Sequence, residues 1–262
     1  MKVVRFSLFA ALASFSMLAC ATVERPDPWE PMNRGIFAFN ETLDRYAIEP
    51  AAKAWDFVLP GFAQTGIRNF FDNLQMPTIF ANDLLQGKPE AAMHDVFRLL
   101  CNSVFGLGGF IDIATMVDIP ANDEDFGQTL GVWGVPTGPY LVVPLLGPYT
   151  LRAGVGQVVD TVAVSYAYMV PFWYDAVGLN GIETVGAGVG MRSVSLLNLR
   201  TIFLEEIDAN RRDAFDFYIF VRNAYLQNRR AKVLDQTDAP VLMDEEFYFF
   251  DEDEEEEDYD DL

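Results

Sequence analysis

The chain has 262 residues, 51% of them hydrophobic, and a formal net charge of −21, so it is long enough for one sizeable core or two small ones. No basic stripe runs along it, which argues against nucleic-acid binding. After the N-terminal segment the longest apolar run, Val162 to Trp173, is broken by Ser165 and Pro171 and falls short of the ~18 residues that a single spanning helix needs. Aromatic residues, chiefly Phe, make up 14%; they suit a well-filled core, or a surface that meets lipid or a greasy ligand.

Residues 1–19 have the form of a secretory signal. Lys2 and Arg5 open it, an apolar run follows from Phe6 to Ala19, and only Ser7, Ser14 and Ser16 soften that run. Its end, Met17-Leu18-Ala19-Cys20, resembles a bacterial lipobox with Met17 where Leu is usual. In that pathway the thiol takes a diacylglyceryl group, the peptide is cut before the Cys, and the new amine is acylated. Cys20 is therefore expected to carry lipid; the alternative is an ordinary cleaved signal with a chance Cys. Ala21 follows it, where an Asp would suggest retention in the inner membrane. With Cys20 acylated, Cys101 stands alone and no disulfide forms.

Residues 20–26 read as a linker containing Pro26, and residues 27–235 as one mainly helical domain without internal repeats. Asn33 to Ala47 carries Ile36, Phe39, Leu43 and Tyr46 at helical spacing, with Glu41 and Arg45 paired one turn apart. Pro50 is expected to stop or interrupt that helix. Further helical stretches run from Phe62 to Leu74, before Met76-Pro77, and from Thr78 to Leu85, ended by Gln86-Gly87. Pro89 to Phe105 is the clearest amphipathic helix. Met93, Val96, Phe97, Leu100, Cys101 and Val104 form one stripe, and His94, Arg98 and Asn102 line another edge beside Asp95.

The middle of the chain is turn-rich. Gly106-Leu107-Gly108-Gly109 follows the amphipathic helix. Leu130 to Val135 and Tyr140 to Val143 are expected to pair as a short β-hairpin about Pro136-Thr137-Gly138-Pro139. Helix is expected again from Leu151 to about Tyr168, and loop or broken helix across the glycines of Val170 to Gly190. Two last helices follow, Met191 to Ile207 and Arg211 to Lys232. Residues 236–262 form an acidic tail: thirteen acids and no base lie between Asp244 and Leu262. That composition reads as a disordered, self-repelling segment, with binding of a basic partner or divalent cations as the functional alternative.

Most catalytic constellations are missing. There is no Gly-x-Ser-x-Gly elbow and no Walker loop, and Gly186-x-Gly188-x-Gly190 lacks dinucleotide spacing. One His and one remaining Cys leave no zinc spacing. His94 and Asp95 are adjacent on a helix and so point about 100° apart, and Cys101 lies roughly 10 Å along the axis from His94. Asp123-Glu124-Asp125 reads as a loop or a helix cap rather than a metal site. No enzyme, cofactor or metal centre is expected.

A series of motifs begins with Asp27-Pro28-Trp29-Glu30-Pro31-Met32-Asn33-Arg34, Phe37-Ala38-Phe39-Asn40 and Leu43-Asp44. Asn69 to Leu74, Leu85-Gln86-Gly87, Gly106 to Asp112 and Phe126-Gly127-Gln128-Thr129-Leu130-Gly131 follow in order. Gly138-Pro139-Tyr140, Leu145 to Pro148 and Phe220 to Gln227 complete the series. Taken together, these motifs resemble the MlaA (VacJ) family of outer-membrane lipoproteins. Departures are Ala153 where Asp often follows Arg152, Phe217 within Asp216-Phe217-Tyr218 where Pro is usual, and Leu99 and Leu100 where Phe is common.

The resemblance implies a ring-like disc of amphipathic helices in the inner leaflet of the outer membrane. Its polar central channel passes phospholipid headgroups while the acyl chains stay in apolar surroundings. It further implies retrograde removal of stray outer-leaflet phospholipid, beside a trimeric porin and toward the periplasmic carrier MlaC. The competing reading is an adaptor lipoprotein that binds a porin without passing lipid. On the first reading the channel or gate residues are Arg98, Asn102, Gly106, Gly108 and Gly109. Arg98 would then hold a passing phosphate, or else only pair with a carboxylate such as Asp95. The glycines would form a flexible lip, or merely tight turns.

Overall fold

Three helical pieces form the first rod of the computed structural model, which describes residues 27–164 and 181–236. They are α1 (Glu30–Leu43), a π-helical turn (Asp44–Ile48) and α2 (Glu49–Val58). Pro50 does not stop the rod. The Glu49 N–H reaches back to the Asp44 carbonyl in the wider π register, and Pro50 falls in the first turn of α2, where its missing N–H is tolerated.

Helix α3 (Gly61–Gln86) joins the two stretches expected around Met76-Pro77 into one, with Pro77 inside it. An internal proline costs about 3 kcal/mol; here packing on several sides of α3 outweighs it. Gly87, at φ +79°, ends α3 as expected, and Lys88 N–H bonds the Asp83 carbonyl in a Schellman closure. Helix α4 (Pro89–Val104) begins with proline where no amide donor is needed. Short helices α5 (Ile113–Met116) and α6 (Phe126–Val132) follow.

The hairpin differs from expectation. Strand β1 (Tyr140–Val143) pairs antiparallel not with residues before it but with β2 (Gly147–Thr150), in the register Tyr140 to Thr150 and Val143 to Gly147. The Asp125 carboxylate caps the amide of Gln128 and commits Phe126 onward to α6. Leu145, at φ +68°, helps turn the hairpin instead.

Helices α7 (Leu151–Val164), α8 (Gly181–Ile202), α9 (Leu204–Asp213) and α10 (Phe217–Val233) complete the described chain. Gly181 to Gly190 is helical, not broken; packing of α8 against α2 and α3 overrides its glycines. The single helix expected from Arg211 onward is split, because Asp216 caps the amides of Tyr218 and Ile219 and starts α10 afresh. The signal, the linker, the stretch 165–180 and the tail beyond Gln236 lie outside the described residues.

Helix α3 is the hub and packs on α4, α6, α7 and α8. An apolar core cluster among the described residues, Tyr140, Val142 and Tyr218, joins β1 to α10 and to Phe37 of α1. Two family-motif asparagines tie α1 to β1 and to the turn just beyond it. Asn33 donates to Tyr140 O and accepts from Val142 N; Asn40 donates to Val143 O and accepts from Leu145 N. Two helical turns apart, they lie along one face of α1, and Asn33 satisfies backbone groups that an edge strand would leave open.

Candidate functional site

The described residues reverse the usual distribution of polarity. Fifteen buried polar or charged side chains stand against eight buried apolar ones, half of which are alanines. Outside, Phe57 is 92% exposed and Phe62 76%, and Met93, Phe97, Leu100 and Val104 of the α4 stripe also face outward. In water a folded chain does the opposite with its large apolar residues, and exposed apolar area on this scale marks an interaction surface or a membrane. Among the described residues no helix is long and apolar enough to cross a membrane.

The inner edge of α4 is Ala92, Asp95, Arg98 and Asn102. Arg98, its side chain 5% exposed, donates through Nη2 to both Asp112 oxygens, at 3.0 and 2.8 Å, and through Nη1 to Ile119 O at 2.6 Å. Asn102 donates to Asp112 and accepts from the amide of Ala114. Burial would raise the Asp112 pKa, but Thr115, Asn102 and Arg98 together hold it below the ordinary carboxylate value. Of the two readings of Arg98, this geometry matches pairing with a carboxylate, and the partner is Asp112 rather than Asp95.

Gly106, Gly108 and Gly109 form the fastened turn between these partners. Gly109 N–H bonds Asn102 O, and a Cβ on Gly109, at φ +100°, would meet Asn73 of α3 at 2.5 Å. Asn69 and Asn73 of α3 donate to Phe110 O and Gly108 O. These contacts dock the segment on α3.

A second polar layer joins α3 to α6 and α7. Asn82 donates to Asp160, whose other oxygen accepts from Phe126 N. Thr129 donates to Asn82, and Gln86 bridges Thr129 and Glu124, which Lys88 also binds. Gly127 lets α6 approach α7: a Cβ on Gly156 would meet its amide at 2.2 Å. Nearby, Asp83 and Asp95 are both fully buried. Asn122 donates to one oxygen of Asp95, and the facing carboxyls are within hydrogen-bonding reach of each other. A proton held between them relieves both the burial and the repulsion. Burial, then the hydrogen bond and charge of Asp95, pushes the Asp83 carboxyl up to about 7.

A third cluster holds the π turn. Asp44 accepts from Arg200 at 2.8 and 3.0 Å and from Arg211 at 2.7 Å. Burial opposes ionisation of Asp44, but the two guanidiniums keep its pKa below the ordinary value. Sequence reasoning missed this cluster and the Asp83–Asp95 pair; the hint was the number of acids and arginines at inward helix positions. Arg34 bonds Glu30 and Asp216 and lies over the Tyr218 ring, 4.5 Å from its centroid, while Phe39 faces outward. The proposed acyl site Cys20 lies outside the described residues.

This order of helices has known counterparts. The family model described as MlaA lipoprotein matches residues 25–232. The chain belongs to the MlaA lipoprotein family. It is 37% identical to the intermembrane phospholipid transport system lipoprotein MlaA of Haemophilus influenzae, over 87% of this chain and 90% of that protein. It is 35% identical to the lipoprotein of the same description from Escherichia coli, over 83% and 84%. A solved structure, described as the structural basis for maintenance of bacterial outer membrane lipid asymmetry, superposes with a TM-score of 0.67 at 35% identity. That match covers 80% of this chain and all of the other. In this MlaA family member Asn33 and Asn40 bond β1, Gln86 bonds Thr129 of α6, Gly87 ends α3, Asp112 accepts from Arg98 of α4, and Gly127 lies close against α7.

Proposed function

We propose that this chain is an outer-membrane lipoprotein that takes misplaced phospholipids from the outer leaflet and passes them inward along its polar interior. The reversed distribution of polarity carries this reading. A phospholipid is a charged head on two apolar chains, and bringing a lone charge into hydrocarbon is costly. Polar side chains inside lower that cost for the head, while an apolar shell keeps the protein in the acyl layer. Helices suit that depth because their backbone groups bond internally. The named relatives act in intermembrane phospholipid transport, which supports the same substrate here.

Residues 1–19 are then the signal, Cys20 the acylated N-terminus, residues 27–235 the transport domain and residues 236–262 a solvated tail. The partners on this reading are a trimeric porin in the membrane plane and the periplasmic carrier MlaC. The chain holds lipid without breaking its bonds, so it is not an enzyme. Deleting the gene and restoring it tests the reading, with outer-leaflet phospholipid measured by its accessibility to phospholipase added to whole cells. Accumulation that the restored gene reverses is expected. A porin complex that is lost while outer-leaflet phospholipid stays normal would make the protein an adaptor.

A further inference from the structure

Acids outnumber bases in this chain, and among the described residues the buried and half-buried cations find carboxylates with one exception. Arg152, in the first turn of α7, is half-buried and has no carboxylate within ion-pair distance. The other described arginines without an ion pair, Arg45, Arg192, Arg212 and Arg230, are exposed to water. Arg152 Nη1 donates to Val135 O at 2.9 Å, Nε is buried without a partner, and Nη2 has none among the described residues.

The surroundings make this cation more costly. Gly131 lies flat against the guanidinium, where a Cβ would come within 2.9 Å of Cζ. The neighbouring Arg229 already holds both oxygens of Asp125. Burial, then the charge of Arg229, lowers the Arg152 pKa from its ordinary value. The local sum of Arg152, Arg229 and Asp125 is one positive charge. Val132, Trp133, Val135 and Leu151, close in the chain to Gly131, to the bonded Val135 carbonyl and to Arg152 itself, are exposed apolar residues. An unmatched guanidinium with an unpartnered Nη2, beside apolar side chains, complements an anion attached to an apolar body.

We propose that Arg152 is the seat for the phosphodiester of a phospholipid, with Trp133, Val135 and Leu151 against its glycerol and upper acyl carbons. This rests on the transport reading above and adds to it the residue that takes the headgroup. A guanidinium edge binds phosphate oxygens through paired, charge-assisted hydrogen bonds, which a lysine cannot reproduce. Such bonds contribute about 1.5–3 kcal/mol each, or about 10- to 150-fold in affinity.

The test titrates the purified full-length protein in mild detergent by calorimetry with three probes: dihexanoyl-phosphatidylglycerol, dihexanoylglycerol and inorganic phosphate. Arg152→Gln should weaken the phospholipid about 10-fold or more and leave the neutral diglyceride unchanged. Arg152→Lys, which keeps the charge, should weaken it less, and it decides the matter if the Gln variant does not fold. Equal loss for phospholipid and diglyceride, or no loss with either variant, would overturn the seat and leave Arg152 as a prop for the loop at Val135. Inorganic phosphate bound as well as the phospholipid, and equally dependent on Arg152, would also overturn it in favour of a free-phosphate site. Wild-type protein that binds no phospholipid would defeat the transport reading itself, whereas binding independent of Arg152 defeats only this inference.

Discussion

Asp83→Asn should make the protein more stable near neutral pH and remove part of its pH dependence. In the folded state Asp83 holds its proton up to about 7, against an ordinary value of 3.8. Between about pH 4 and pH 7 the native state therefore binds a proton that the unfolded chain has released. Stability from this group is present at low pH, falls as pH rises through that window, and levels off above it. A rise of that size corresponds to about 4 kcal/mol as a ceiling, at about 1.4 kcal/mol per pH unit. Relaxation around the pair and the nearby Lys88 lower the figure, so roughly 2 kcal/mol is a reasonable expectation. An Asn amide can donate to Asp95 at any pH, so α3 and α4 stay joined without a borrowed proton. Urea unfolding in mild detergent from pH 4 to pH 8, wild type against variant, measures the gap. The variant's advantage should grow with pH up to about 7 and then stay constant. A gap that does not change with pH, or a variant that loses stability at every pH, would refute a shared proton between Asp83 and Asp95.

Three further outcomes are expected. Asp112→Ala leaves Arg98 buried without its carboxylate and should cost roughly 3 kcal/mol or more, read from the same unfolding curves; a loss below about 0.5 kcal/mol would mean the clasp does not hold α4 to α5. Cys20→Ser should leave an uncut precursor of lower gel mobility, since two or more acyl chains give stable anchoring; normal cutting with normal outer-membrane location would remove the lipobox. Deleting residues 244–262 should leave detergent resistance of the cell envelope unchanged, because that composition builds no core; a loss equal to that of a full gene deletion would show that the tail recruits something essential.

Local signals survived best from sequence to structure. Pro89, the apolar stripe and Gly87 mark α4 and the end of α3 because a first-turn proline and a left-handed glycine act within a few residues. The failures are long-range. Nothing near Pro77 announces that neighbours on α4, α6, α7 and α8 will keep α3 continuous through it. Asp95 sits one turn from Arg98, yet the arginine binds Asp112 because the Gly106–Gly109 turn folds the chain back. Asn33 and Asn40 stand out as motif residues, but their partners on and just beyond β1 lie over a hundred residues away. The period of α4 was legible while its orientation was not. An amphipathic stripe shows that two faces differ, and only the solvent decides which one turns inward. Here Arg98 and Asn102 are inside and Met93 and Val104 outside.

That inversion is tested most directly by measuring what the outer shell touches. Spin labels at Phe57→Cys and Phe62→Cys, in a Cys101→Ala background reconstituted into phospholipid vesicles, report collision with oxygen and with a water-soluble nickel chelate. High oxygen and low nickel accessibility at both positions is expected, with the reverse at a label on exposed Glu205 of α9. Nickel accessibility at Phe57 and Phe62 as high as at Glu205 would place the apolar shell in water and contradict a lipid-embedded protein.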